Sequence, residues 1–163
     1  EVDNDTSGDR RVDFKKWSTA PQASTTASGI GTGMQIRTKD LDFGEPAVRK
    51  KIYKVYITYK TGSGSSSVGV AYATNGDKST NALSSITLKH FKAKSDCTVD
   101  TGVLYLDASK SEWTTAIMRP NVSSEANNIY SFQLFLFNKA STAVHEDFQI
   151  NDITIIYRIK PVR

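Results

Sequence analysis

Apolar residues recur at every second position along most of the chain from Met34 onward, and no segment has a convincing helical period. The clearest example is the segment Lys51–Lys60, in which four apolar residues share one face while Lys54, Thr58 and Lys60 share the other. A period of two predicts a β-strand with one buried face, because successive side chains of a strand point to opposite sides. We therefore expect these residues in the core: Tyr53, Val55, Ile57 and Tyr59.

The same alternation, interrupted by turn residues, predicts further strands along the chain. A Gly/Ser-rich loop at 61–66 and the pair Asn75–Gly76 have the composition of turns. The further predicted strands lie near Met34–Thr38, Leu41–Phe43, Val68–Ala73, Ser85–Phe91, Gly102–Leu106, Trp113–Met118, Ile129–Asn138 and Ile153–Arg158. About eight antiparallel strands are typical of an all-β, jelly-roll-like β-sandwich of two sheets.

The predicted strand Ile129–Asn138 is apolar on both faces. Leu134 and Leu136 belong to one row, whereas Phe135 and Phe137 form a second row on the opposite side. An antiparallel strand of this kind is buried on both faces, either within its own chain or against a partner. Phe135 and Phe137 are therefore candidate residues of a subunit interface.

The first part of the chain has few large apolar residues and is rich in Ser, Thr and Ala. We therefore expect an extended N-terminal arm or linker at 1–33 and a β-sandwich domain at 34–163. Val12, Phe14 and Trp17 are the apolar anchors of the arm. Two alternatives stay open: the arm is disordered, or it orders across a neighbouring subunit during assembly.

Length and charge narrow the classes of partner. The chain has 163 residues and a formal charge of +4, and its Lys and Arg residues are scattered except for the run Arg49–Lys51. This scatter argues against a nucleic-acid partner, which usually requires a clustered stripe. Cys97 is the single cysteine and excludes an internal disulfide, and no apolar run has the length of a membrane span. Because the first residue is Glu1, we expect a processed chain or a segment of a longer one.

Residues with catalytic or metal-binding potential are few. His145, Asp147 and Asp152 would supply a base and carboxylates to a hydrolase, but no nucleophile or ligand spacing accompanies them. Two histidines and one cysteine are too few for a standard zinc site. Asp3 and Asp5 open a pattern like a calcium loop whose second half lacks the required glutamate. We therefore expect no enzyme activity, metal or cofactor.

Aromatic side chains offer an alternative function. Tyr56 and Trp113 would bind sugar rings by stacking if they were exposed, since their rings are large and amphipathic. Core packing is the competing interpretation, because β-sandwich cores normally contain several aromatic residues.

Several strings resemble a module found in virion structural proteins of tailed bacteriophages, especially marine ones. The strings are Asp42–Pro46, Arg49–Lys60, Val70–Gly76 and Phe148–Arg158, and together they span residues 41–160. The stretch 81–128 is similar only in its general β character. The resemblance implies a β-sandwich for assembly in tail or tail-associated components, and it brings no catalytic residues.

Pattern and resemblance together favour a non-enzymatic structural protein of the virion. The partners we expect are copies of this chain in a symmetric assembly and other virion proteins. The alternative is a carbohydrate-binding or receptor-binding β-sandwich module whose partner is a glycan of the host surface. Insertion into a membrane is not expected.

Overall fold

The computed structural model describes residues 2–4, 10–12, 30–61, 68–76, 88–100, 102–139 and 148–160. Within these ranges the chain forms twelve strands and no helix. The strands are β1 (Val2–Asn4), β2 (Arg10–Val12), β3 (Ile30–Arg37), β4 (Lys50–Lys60), β5 (Val68–Thr74), β6 (Lys89–Ser95), β7 (Cys97–Asp100), β8 (Val103–Leu106), β9 (Thr114–Pro120), β10 (Asn127–Ile129), β11 (Phe132–Lys139) and β12 (Gln149–Ile159). The described pairings are all antiparallel, so the prediction of an all-β fold is confirmed.

Ten of these strands form one curled sheet in the order β10-β4-β9-β6-β5-β11-β3, with β12 paired to β4, β8 to β5, and β7 to β8. Strand β6 joins two halves of this sheet. Its residues Lys89 and His90 pair with β5, whereas Phe91–Ser95 pair with β9. Strands β1 and β2 pair with each other, and Val2 lies opposite Val12.

The main hydrophobic cluster draws side chains from both halves of the curled sheet. Val55 and Ile57 of β4 and Val70 of β5 are each 0% exposed. The large members of this cluster are Ile52, Val55, Ile57, Tyr59, Val68, Val70, Tyr72, Phe91, Leu104, Leu106, Met118, Ile129, Phe132, Leu134 and Leu136. Burial of alternate residues explains the period of two in β4 and β9, whereas every residue of β5 is buried.

A β-bulge changes one prediction. Ile156 of β12 pairs with Lys54, but its neighbour Tyr157 pairs with Ile52, so Tyr53 is an extra residue on β4. The extra residue reverses the alternation, because the two sides of a strand exchange at a bulge. Ile52 is consequently buried and Tyr53 is 37% exposed, so the expectation that Tyr53 lies in the core was wrong.

A second hydrophobic cluster lies on the opposite face of β5 and β11. Register pairs each large ring with a small residue: Phe135 lies opposite Ala71, and Phe137 lies opposite Gly69. An ideal Cβ on Gly69 would come within 2.5 Å of Cε2 of Phe137, so only glycine leaves room for that ring. Strand β11 is therefore buried on both faces inside this chain.

One predicted turn is confirmed, one predicted strand is absent, and one strand begins earlier than the predicted domain boundary. Asn75 and Gly76 have φ angles of 60° and 63°, which confirms the predicted turn. The strand expected at 41–43 is absent, since Leu41 forms an isolated bridge and Phe43 enters a turn with a φ of 57°. Strand β3 begins at Ile30, ahead of the domain boundary predicted after residue 33.

Candidate functional site

The outer face is the side of β12, β4, β9 and β6 that points away from the main cluster. Tyr56 and Thr58 lie on it because they alternate with buried residues of β4. Register then places Ile117 of β9 and Thr154 of β12 on either side of Tyr56. The outer face comprises Lys51, Tyr53, Lys54, Tyr56, Thr58, Lys60, Lys92, Trp113, Thr115, Ile117, Arg119, Asp152, Thr154, Ile156 and Arg158.

Both candidate sugar-stacking residues lie on the outer face. Trp113 is 49% exposed and Lys60 Nζ lies 5.1 Å from the centre of its ring. Tyr56 is half-buried, four residues before Lys60 on β4. At the rise of a β-strand this spacing corresponds to about 14 Å between Tyr56 and the position of Trp113. The structure therefore brings two ring platforms onto one surface.

Basic side chains are concentrated on the same face. Asp152 is the one carboxylate among the outer-face residues, and no outer-face cation forms an ion pair with another described residue. The cations are Lys51, Lys54, Lys60, Lys92, Arg119 and Arg158. Six cations and one carboxylate give these outer-face residues a formal charge of +5.

Strand β12 borders the outer face. It has 11 residues and pairs along β4, while its other edge pairs with no strand among the described residues. Ile156, Tyr157 and Ile159 are 44%, 37% and 45% exposed. A long edge strand with exposed apolar side chains presents unpaired backbone groups to a partner strand.

The residues predicted at a subunit interface lie in different surroundings. Phe135 and Phe137 are each 1% exposed within this chain, and the guanidinium of Arg37 lies 5.2 Å from the centre of the Phe135 ring. A contact between these two rings and a second subunit stays a prediction. It requires the groups packed over the rings, such as the Arg37 side chain, to move away. Val12 lies in β2, whereas Phe14 and Trp17 lie outside the described residues.

A polar cluster lies where β6 passes into β7. The buried Tyr59 hydroxyl donates to the carbonyls of Asp96 and Asp107, at 3.2 and 3.0 Å. Lys110 Nζ lies 3.0 Å from Asp96 Oδ1 and 3.9 Å from Asp107 Oδ2. Burial, with the nearby carboxylates of Asp107 and Asp96, raises the pKa of Cys97 to about 12. The Cys97 thiol is therefore protonated at neutral pH and is a poor nucleophile.

The candidate catalytic residues are not brought together within the described chain. His145 and Asp147 lie outside the described residues. Asp152 is exposed on β12 and accepts a hydrogen bond from Thr154 Oγ1 at 3.3 Å. The described ranges contain no cluster of His, Cys, Asp or Glu that could hold a metal, and no helix able to span a membrane.

Sequence reasoning did not predict the basic outer face. Its cations come from four strands that are distant in sequence, so their clustering depends on strand pairing. The basic run Arg49–Lys51, which is visible in the sequence, does not form one patch in the structure. Lys50 is 0% exposed, while Arg49 lies at the surface and packs over Tyr130. The alternation of lysines with apolar residues on β4 was the one available signal.

No protein family, curated protein or solved structure matches the chain in the comparisons made with known proteins.

Proposed function

We propose that this protein is a non-enzymatic structural module of a tailed-phage virion, which assembles with copies of itself and with other virion proteins in the tail or another layer. The observation that carries the proposal is the long edge strand β12, with apolar side chains exposed beside unpaired backbone groups. The resemblance of Arg49–Lys60 and Phe148–Arg158 to virion proteins supplies the location. These two segments form β4 and β12, which pair with each other.

The proposal includes a jelly-roll-like β-sandwich architecture and an N-terminal arm. Support for two packed layers comes from the main cluster, whose members on β4 and β9 pack with members on β5, β8 and β11. Support for a crossing between the layers comes from β6, which pairs with β5 at one end and with β9 at the other. The part of the predicted arm that precedes β3 would reach a neighbouring subunit through Val12, Phe14 and Trp17.

Light scattering of the full chain tests self-assembly. We expect an oligomer over a wide concentration range, and a lower mass for the double variant Phe14→Ala/Trp17→Ala, since these rings anchor the arm. A matched control is Val122→Ala, which truncates an apolar side chain that is 46% exposed elsewhere. A monomer at every concentration would contradict self-assembly as an intrinsic property.

Carbohydrate recognition is the second candidate function. It is favoured by the placement of Tyr56 and Trp113 on the outer face together with basic side chains. Rings would stack on sugar faces while lysines neutralise acidic groups, so an anionic surface polysaccharide of the host is the ligand class that fits.

Binding measurements with charged and neutral oligosaccharides test this second candidate. Trp113→Ala should weaken binding of the acidic sugar by at least about tenfold, which corresponds to about 1.4 kcal/mol, because it removes the more exposed of the two stacking rings. Tyr130→Ala is the matched control, because Tyr130 is 41% exposed, also lies beside a cation, and is not an outer-face residue. Equal binding by both variants would remove this candidate.

A further inference from the structure

Strand β12 has a charge pattern that is complementary to itself. Asp152 and Arg158 lie on the outer face, at equal distances in sequence from Ile155. When two copies of the strand run antiparallel with Ile155 opposite Ile155, each Asp152 lies directly opposite an Arg158. The pairing occurs twice, once on each side of the two-fold axis, as an isologous contact requires.

We propose that two copies of this chain pair through the free edges of β12, antiparallel and centred on Ile155, to form one continuous sheet. This inference rests on the proposed function, because it names the surface through which copies assemble. Residues 151–159 of the two chains would pair. The outer faces of both chains would then form one uninterrupted basic surface.

The alternative registers are less complementary. Centring on Thr154 places Arg158 opposite Ile150, and centring on Ile156 places Asp152 opposite Lys160. Lys160 lies beyond the strand, and its Nζ already donates to Asn128 Oδ1 at 2.7 Å. The register centred on Ile155 is therefore the one that gives both charged residues of β12 an oppositely charged partner within the strand.

The central pairs are also compatible with this contact. Thr154 would lie opposite Ile156, and Ile153 opposite Tyr157, so the exposed apolar area of Ile156 and Tyr157 would decrease on pairing. Backbone groups along the free edge would gain hydrogen bonds, as in other cases of strand addition.

Charge exchange tests the register. Asp152→Arg and Arg158→Asp each replace two attractive pairs by two repulsive ones, and we expect each to weaken the dimer by about thirtyfold. The double variant Asp152→Arg/Arg158→Asp restores opposite charges and should recover the affinity. Arg119→Asp is the matched control, since it makes the same charge change on the outer face of β9, away from the edge. Sedimentation gives the affinities, and circular dichroism verifies folding.

Cysteine cross-linking is a second test that does not depend on charge. Thr154 and Ile156 would lie opposite each other, so a mixture of Thr154→Cys and Ile156→Cys chains should form a disulfide dimer on mild oxidation. Neither variant should cross-link efficiently alone, and the unmodified chain under the same oxidation controls for Cys97. Cross-linking of Thr154→Cys alone would indicate the register centred on Thr154, and would overturn the proposal.

The outcomes separate this inference from the proposed function. An oligomer whose affinity is unchanged by either charge reversal would overturn pairing through β12, while self-assembly would stand. A monomer at every concentration would overturn both. Loss of affinity in both single variants with recovery in the double variant supports the proposal.

Discussion

Lys50 donates hydrogen bonds from its ammonium group to three backbone carbonyls inside the fold. The acceptors are Glu45 O, Val48 O at 2.7 Å and Tyr130 O at 3.0 Å. Its side chain is 0% exposed, so these bonds replace the water that the charged group loses on burial. Lys50 thereby connects the loop before β4 to Tyr130, the residue that follows β10.

Replacement of Lys50 should destabilise the protein strongly. Lys50→Met keeps the length of the side chain but removes the ammonium donor from Val48 O and Tyr130 O and leaves Glu45 O with only its bond from Val48 N–H. We expect a loss of about 3 kcal/mol in the free energy of unfolding. Lys51→Met is the control, because Lys51 is its half-buried neighbour on the outer face, and its change should stay within about 0.5 kcal/mol. Urea denaturation measures both values, and equal losses would contradict this role.

Gly69 is a second residue whose replacement should destabilise the fold, because it lies against the Phe137 ring. Gly69→Ala would press a methyl group against the Phe137 ring, and overpacking of this kind costs about 2 kcal/mol. Phe137→Leu removes the ring, so the double variant should be more stable than the sum of the two single losses predicts. Denaturation of all four proteins measures this coupling, and strict additivity would show that the ring moves away freely.

At the scale of single elements, the alternation of apolar residues predicted strands better than it predicted their irregularities. The strand expected at 51–60 is β4, and its expected core residues Val55 and Ile57 are buried. Tyr53 was misplaced because a bulge depends on pairing with β12, and one strand alone carries no signal for it. Strand β7 was missed because it has no row of buried apolar residues: Cys97 is half-buried, and the other three residues are exposed.

The same limit applies to the candidate site. Tyr56 and Trp113 were identified from residue type, but their common face depends on the register between β4 and β9. Buried Lys50 was not foreseen, because lysine is almost never fully buried and its three acceptors come from two separate loops. Sequence pattern thus supplies strands and faces, whereas neighbours distant in sequence require the structure.

The junction between β6 and β7 should make stability depend on alkaline pH. Burial raises the pKa values of both Cys97 and Tyr59, so the folded chain holds these protons more tightly than the unfolded chain does. Stability from a raised pKa is complete below the unfolded value and decreases as pH rises through the folded value. For Cys97 this window runs from the ordinary pKa of 9.0 to about 12.

We therefore expect the unfolding midpoint in urea to be similar at pH 7 and pH 8 and to decrease steadily above about pH 9. Cys97→Ala should reduce this decrease, since it removes one of the groups that titrate, although it also removes some packing. Chemical modification of the Cys97 thiol at pH 8 should be slow in the folded protein and fast in denaturant. A fast reaction in the folded protein would contradict the burial effect.

At the scale of the whole molecule, the two hydrophobic clusters share their strands. Strand β11 contributes Leu134 and Leu136 to the main cluster and Phe135 and Phe137 to the second. Strand β5 is shared in the same way, with Tyr72 in the main cluster. Damage to either cluster therefore reaches both, since a strand cannot leave one face of the sheet while it remains packed on the other.

Cooperativity between the clusters can be measured with Phe135→Ala. Phe135 is 1% exposed, and truncation of a buried ring should cost about 4 kcal/mol. Trp113 lies on the outer face of the other half of the sheet, so its fluorescence reports on a distant region once Trp17→Phe has removed the second tryptophan. Because the strands are shared, fluorescence and circular dichroism should shift together to the same lower urea midpoint.

Val99→Ala is the control, because Val99 is 60% exposed, and it should leave both midpoints nearly unchanged. Separate transitions for the two probes would show that the halves unfold independently, and that the second cluster stabilises only its own side of the sheet.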